Sequence, residues 1–220
     1  MSISNFGISG ETTNQIDNRV RKSSRLKRQV RHCNVVFVTT GGNDLLSFLK
    51  NNIMVSKQTE LSQRYNVYLM QYQKKITNLL KDIRSLNSKA PVFVFGIYNP
   101  VYVYFPQVSF ISWSVSTQNV STQNIVESQS KMHFVSIDSQ LSHGQFQSKA
   151  AQNSLLKKSH QLNSKDINPN ILQSILNGNF NYSNNYISND DHFHPNEKGY
   201  SIMANQLYNK MEKYLSWMKG

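Results

Sequence analysis

Cysteine is nearly missing from this 220-residue chain: Cys33 stands alone, which excludes an internal disulfide and a thiolate metal cluster. Long apolar runs are missing too. With no stretch of about eighteen apolar residues, and with Met1 opening directly into polar sequence, neither a membrane span nor a signal peptide is expected. Charge is sparse at 16% of residues, and acids are half as frequent as bases, 12 against 24. Hydrophobic residues reach 38%, and Asn, Gln and Ser fill much of the remainder. That balance describes a polar folded protein rather than a charged disordered one. No repeat divides the chain, and its length suits one domain over residues 1–220 with a sizeable core.

The net charge of +12 favours anionic partners such as lipid headgroups, nucleic acid or cell-wall polymer. Much of it is local: Arg19, Arg21, Lys22, Arg25, Lys27, Arg28 and Arg31 fall within thirteen residues of helical pattern. A solvated helix face is the ordinary reading, and a patch facing an anionic membrane surface is the alternative. No aromatics interleave with these bases, which disfavours nucleic acid.

Three short β-branched runs punctuate the chain: Asn34 to Thr39, Pro91 to Ile97 and Met132 to Ile137. Continuous apolar runs of this kind suit strands of a parallel sheet buried on both faces. Residues 1–10 read as a strand end followed by a glycine-containing loop, and residues 11–30 as one helix. Leu61, Tyr65, Tyr68, Leu69, Tyr72, Ile76, Leu79, Leu80, Ile83 and Leu86 recur at threes and fours and predict a long core helix over 59–86. A polar helix is expected over 112–130. An elaborated connection, with helical fragments near Ala150–Lys158 and Ile171–Leu176, follows over 139–185. An amphipathic helix beyond Pro195 closes the chain. Alternating strands and helices predict an α/β sandwich, with functional groups beyond the carboxyl ends of the strands. Loops around Gly7 and Gly10, Asn43, Asn99 and His194 gather on that side. The aromatic stretch after Asn99 (Tyr102, Tyr104, Phe105) suits either an apolar substrate groove or a loop packed on its own rings.

Chemistry concentrates in Asn189-Asp190-Asp191-His192-Phe193-His194-Pro195-Asn196. A carboxylate three residues before an imidazole can fix its tautomer, so that His194 acts as a base with Asp191 as its orienter. Alone, such a segment serves more ordinarily as a helix cap beside a surface histidine. Gly10 offers a backbone N–H and Asn43 a side-chain N–H, two donors suited to an oxyanion. Alone, each is an ordinary turn residue. A metal site built on His192 and His194 lacks a third ligand nearby.

Their order carries more. Asn5-Phe6-Gly7-Ile8-Ser9-Gly10-Glu11-Thr12-Thr13, then Gly41-Gly42-Asn43-Asp44, then Asp191-His192-Phe193-His194-Pro195-Asn196 resemble blocks II, III and V of the SGNH (GDSL-type) hydrolases. Gly96-Ile97-Tyr98-Asn99-Pro100 and the run from His192 to Tyr200 resemble the YpmR-like bacterial lipase/acylhydrolase branch. The resemblance spans nearly the whole chain. It implies a three-layer α/β/α sandwich with a parallel flavodoxin-like sheet, and a serine esterase or lipase acting on acyl esters or lipids without metal or organic cofactor. By the same resemblance, Gly10 and Asn43 are oxyanion donors, His194 the base and Asp191 its orienter. Intact relatives of that branch carry an amino-terminal anchor, implying an extracytoplasmic, membrane-tethered location.

One block has no counterpart. The Gly-Asp-Ser-Leu segment that bears the family's nucleophilic serine does not occur, and neither does Gly-x-Ser-x-Gly. Ser9 has no claim to replace it. The expectation is therefore a chain truncated at its amino terminus, lacking the first strand of the sheet and inactive by the serine mechanism. The alternative is a non-catalytic scaffold that holds anionic polymer or membrane on its basic helix.

Overall fold

Three β-branched runs form the sheet. In a computed structural model that describes residues 2–52, 54–55, 57–159 and 183–215, they are β1 (Val36–Thr39), β2 (Val92–Phe95) and β3 (Met132–Val135). All pairs are parallel and the order is β1-β2-β3, with Val36 opposite Val92 and Val92 opposite Met132. Successive side chains point to opposite faces. Val38, Val92, Val94 and Phe134 pack against Ile76, Leu79 and Leu80 on one side. Phe93, Phe95 and Val135 pack with Leu141, Met211 and Leu215 on the other. The result is a mixed α/β sandwich whose parallel sheet lies between two helix layers.

The first layer contains α1 (Thr13–Lys22), α2 (Ser24–His32), the long α4 (Gln58–Leu86) and α5 (Ser109–Glu127). The second contains α6 (Asp138–His143) and α8 (Glu197–Tyr214). Two more helices, α3 (Gly42–Asn51) and α7 (Lys149–Ser159), complete the eight among the described residues. A satellite core of Leu45, Phe48, Leu61, Tyr65, Ile97, Ile111 and Val115 fastens α3 to α4, α5 and the loop after β2. No described helix is long and apolar enough to cross a membrane.

Several expectations are corrected. The helix expected over residues 11–30 is two helices, because Ser23 leaves helical geometry and its hydroxyl accepts from the Leu26 N–H at 3.2 Å, starting α2. Residues 2–7 form no strand. Among the described residues β1 pairs only with β2, and residues 2–7 do not join its other edge. The segment Thr40-Gly41-Gly42-Asn43-Asp44, expected to be only a turn, opens α3, with Gly41 in a left-handed conformation (φ +95°) as its N-cap. A Cβ on Gly41 would also lie 2.7 Å from Gln118 Nε2 and 2.8 Å from the Tyr72 hydroxyl, so glycine is required twice over. Cys33 is half-buried. The helical fragment near Ala150–Lys158 is α7, whereas Ile171–Leu176 lies outside the described residues.

The basic segment is partly neutralised within the fold. Arg19 pairs with Glu11 at 2.5 Å, and Arg21 pairs with Asp17 at 2.7 Å and Asp82 at 2.5 Å. Arg25 lies over the Phe6 ring, 5.5 Å from its centroid.

Candidate active site

The loop between residues 183 and 196 is shaped by its own backbone. Ile187 and Pro195 form an antiparallel bridge, and the Ser188 N–H donates to the His194 carbonyl at 2.8 Å. Asn196 caps α8, its side chain accepting from the Gly199 N–H at 3.1 Å and donating to the Asn185 and Ile187 carbonyls. The cap is thus Asn196, which leaves Asp191 for other work. Close packing at Gly199 holds α8 against the loop: a Cβ there would lie 2.2 Å from the Tyr186 carbonyl oxygen.

Asp191 organises the turn that carries His194. Its Oδ1 accepts from the Phe193 N–H at 2.9 Å and the His194 N–H at 3.0 Å, and its Oδ2 accepts from His194 Nδ1–H. Partial burial raises the Asp191 carboxyl, but the bond from the His194 ring and those from the two backbone N–H groups outweigh it and bring it down to about 2. The carboxylate stays ionised and acceptor-only, so it holds a proton on Nδ1 and selects the tautomer whose Nε2 carries the lone pair in the neutral ring. Both side chains sit at the surface, His194 63% and Asp191 43% exposed, so water screens their attraction and orientation is the larger effect.

A cavity of about 1350 Å³ opens beside this loop, and Gly10, Asn43, Phe193 and His194 all line it. Gly10 adopts φ +82° with nothing within 4 Å of a would-be Cβ. Backbone geometry, not crowding, is what requires glycine there. Asn43 lies in the first turn of α3, and its Nδ2 donates to the Glu11 carbonyl at 3.1 Å, which joins the start of α3 to the Gly10 loop. A side-chain amide has two N–H groups, and this bond uses one.

Beneath that junction lies a buried clamp. Asp44 Oδ2 accepts from both the N–H and the hydroxyl of Thr13, each at 2.8 Å, and the Thr13 hydroxyl also meets that of Thr40 at 2.8 Å. Thr13 is fully buried and Asp44 4% exposed. The carboxylate satisfies a donor at the start of α1 that has no partner within the helix. Gly10 and Asn43 are thereby tied to one another through their neighbours.

Two positioning residues carry no local sequence signal. Tyr98, just beyond β2, donates its hydroxyl to the Phe193 carbonyl at 2.6 Å, pinning the His194 loop across 95 positions of sequence. Asn119 of α5 accepts from the Ile97 N–H and donates to the Ile97 carbonyl, each at 2.8 Å, imitating a neighbouring strand where β2 ends. Gly96 makes room for this, since a Cβ would lie 2.9 Å from Asn119 Oδ1 and 2.7 Å from the Phe134 ring.

Other candidates fall away from the rim chemistry. His192, at φ +56°, packs edge-on against Tyr104 and has Nδ1 3.4 Å from its hydroxyl. Asp190 turns to Ser188. Of the aromatic stretch after Asn99, Tyr104 and Phe105 pack into the satellite core, and the cavity is lined instead by Tyr98, Pro100 and Val101. Deeper in the second layer, burial pushes the Asp138 carboxyl up against the opposing hydrogen bond from Ser142. That pair braces the loop after β2, Ser142 Oγ accepting from the Asn99 N–H at 2.7 Å.

Comparison with known proteins gives a consistent result. The sequence model of a family described as "GDSL-like Lipase/Acylhydrolase" matches residues 1–207. An uncharacterized protein of Bacillus subtilis (strain 168), YpmR, is 22% identical over 213 residues, covering 97% of this chain and 67% of that protein. The lipase Lip_vut3 from a goat rumen metagenome superposes with a TM-score of 0.62 at 20% identity, over 95% of this chain and 78% of the lipase. A family 3 carbohydrate esterase of Clostridium thermocellum gives 0.51 at 19%, over 97% and 71%. At those identities the two structures speak to the fold.

Proposed function

The chain belongs to the GDSL-like lipase/acylhydrolase family, and from that premise we propose that the rim around His194 is an acyl-transfer site for carboxylic esters, including lipid esters, within a single esterase domain over residues 1–220. The observation that carries this is the Asp191-oriented imidazole at the lip of a cavity that Gly10 and Asn43 also line. In this assignment His194 Nε2 takes the proton of an attacking hydroxyl and returns it to the leaving alcohol. Asp191 holds the Nδ1–H tautomer and stabilises the imidazolium. The Gly10 N–H, for which the described residues provide no partner, and the second N–H of the Asn43 amide receive the developing oxyanion.

The attacking hydroxyl is not assigned to a residue of this chain, which holds no Gly-Asp-Ser and no Gly-x-Ser-x-Gly segment. The names of the similar proteins, a lipase and a carbohydrate esterase, support an ester as the substrate class.

Hydrolysis of p-nitrophenyl butyrate by the 220-residue chain tests the assignment. Hydrolases stripped of a triad member keep about 10³-fold catalysis over water from oxyanion donors and binding. The expected outcome is slow p-nitrophenol release above background, reduced at least tenfold by Asn43→Ala and, with the imidazole activating water as the attacking hydroxyl, reduced by His194→Gln as well. A rate above background that neither substitution changes would overturn the assignment.

A further inference from the structure

We propose that Asp138 is a positioning residue for the His194 base: from behind the loop after β2 it fixes residues 97–99, and through Tyr98 it holds the His194 loop at the rim. That His194 is a base rests on the proposed ester-hydrolase reading. The mechanical coupling between Asp138 and the loop does not depend on it.

The first observation is where the Asp138 carboxylate is directed. Asp138 opens α6, and a carboxylate in a first helical turn ordinarily stays in water, where it favours the positive end of the helix dipole. Here Oδ1 instead accepts from the hydroxyl of the buried Ser142 at 2.5 Å. Burial pushes the carboxyl up, and the Ser142 hydroxyl, His143, the Asn119 amide and the Asn99 N–H draw it the other way. Groups from α6, α5 and the loop after β2 therefore converge on one carboxylate. Taking a carboxylate out of water opposes folding, so packing does not account for its place, and perturbed acids of this kind concentrate where geometry serves a site.

The second observation is what those groups hold. Ser142 Oγ, oriented by its bond to Asp138, presents a lone pair to the Asn99 N–H at 2.7 Å. Asn119 grips Ile97 by both its N–H and its carbonyl, and the same amide acts on Asp138. The Asn99 side chain is tied in turn, donating to Ser112 Oγ at 3.0 Å and accepting from the Val101 N–H at 3.1 Å. Tyr98 thus stands between two residues whose backbone is clamped, and one carboxylate orients both clamps.

The third observation is what Tyr98 reaches. Its hydroxyl donates to the Phe193 carbonyl at 2.6 Å, next to His194. Burial, with smaller contributions from Tyr200 and Asp191, pushes the phenol up, so it stays protonated and remains a donor. A tyrosine has a rigid ring on two rotatable bonds, so the backbone at 97–99 decides where its hydroxyl lies. Bonds between hydroxyl and oxygen tolerate only about 2.5–3.0 Å. A displacement of about 1 Å in a reacting group can cost roughly 100-fold in rate. The line from Asp138 to the imidazole therefore runs through the Ser142 hydroxyl, the Asn99 backbone, the Tyr98 ring and the Phe193 carbonyl. Breaking it upstream should reach His194 only by way of the Tyr98 bond.

The test follows amide hydrogen exchange and p-nitrophenyl butyrate hydrolysis in the full chain for Asp138→Ala, Ser142→Ala and Tyr98→Phe, and for each of the first two combined with the third. Unchanged exchange of the β2 amides shows that the fold persists. If Asp138→Ala fails that control, Ser142→Ala and its combination decide. Either substitution is expected to speed exchange of the Asn99 amide about tenfold and of the Phe193 and His194 amides about threefold. In the Tyr98→Phe background both should still release Asn99, yet leave Phe193 and His194 no faster than Tyr98→Phe alone. General loosening would add in both backgrounds instead. Hydrolysis should fall several-fold in each single variant and no further in the combinations. Release of Asn99 without any change at Phe193 and His194 would overturn the proposal, and so would equal acceleration there with and without the Tyr98 hydroxyl. Coupled exchange with hydrolysis unaffected would uphold the hold on the loop while refuting the hydrolase reading. Uncoupled exchange with hydrolysis still dependent on His194 would refute the positioning role and leave that reading standing.

Discussion

Replacing Asp44 with alanine should loosen the junction between the Gly10 loop and α3. Asp44 Oδ2 accepts two buried bonds from Thr13. In Asp44→Ala the Thr13 hydroxyl still has the Thr40 hydroxyl 2.8 Å away, but the Thr13 backbone N–H loses its acceptor in a fully buried position. An orphaned buried donor costs about 1–3 kcal/mol, with a further contribution because the lost acceptor was charged. Against this, Asp44 Oδ1 is buried without a hydrogen bond, 3.8 Å from Lys75 Nζ, and removing it relieves a desolvation penalty. The net expectation is a loss of about 2 kcal/mol, which at the usual m-values moves a urea midpoint down by about 1 M without changing the slope. Asp44→Asn, which keeps a carbonyl oxygen for Thr13, should lose less than about 1 kcal/mol. Because Thr13 follows Gly10 by three residues and Asp44 follows Asn43 by one, ester hydrolysis by Asp44→Ala should fall under conditions where the protein remains folded. A midpoint within about 0.5 kcal/mol of the parent, the range of an ordinary surface change, would refute the clamp.

Other outcomes follow from the same geometry. Gly199→Ala must displace the Tyr186 carbonyl from a Cβ contact of 2.2 Å, and an overpacking cost of about 1–3 kcal/mol in thermal or urea unfolding is expected. Tyr98→Phe removes the bond to the Phe193 carbonyl, and should cost about 1 kcal/mol of stability while lowering His194-dependent hydrolysis several-fold. The Asp191 carboxyl, at about 2 in the fold against 3.8 unperturbed, contributes stability that is present above about 3.8 and lost as pH falls through about 2. Acid unfolding of Asp191→Ala should therefore show a shallower decline over that window, and carboxyl ¹³C NMR should find the wild-type group titrating near its lower end.

The periodic parts of this fold were legible because their signals are local. The stripe from Leu61 to Leu86 placed α4 within a residue of its observed start, and three β-branched runs marked the strands, each trimmed at its ends to four residues. What failed was context. Two adjacent glycines suggest a turn, yet Gly41 ends the turn and Gly42 begins a helix because the left-handed residue caps it. Residues 2–7 read as a strand end, yet they pair with no described strand. The bases around Ser23 continue a helical pattern across a point where the serine side chain starts a new helix.

The site was legible to the same degree. A carboxylate three residues before a histidine gave the Asp191–His194 pair its spacing, and the Asn43 loop follows the end of β1. Tyr98, Asn119 and Thr13 were not readable, since each acts on a partner 95, 22 or 31 positions away, and no short motif encodes such a contact.

The most direct test is a double-mutant cycle on His194 and Asn43, read as the rate of p-nitrophenyl butyrate hydrolysis above background. If the imidazole and the amide serve one transition state, His194→Gln and Asn43→Ala should each slow hydrolysis, and the double variant should fall to background. A parent rate retained by either single variant would contradict a shared site.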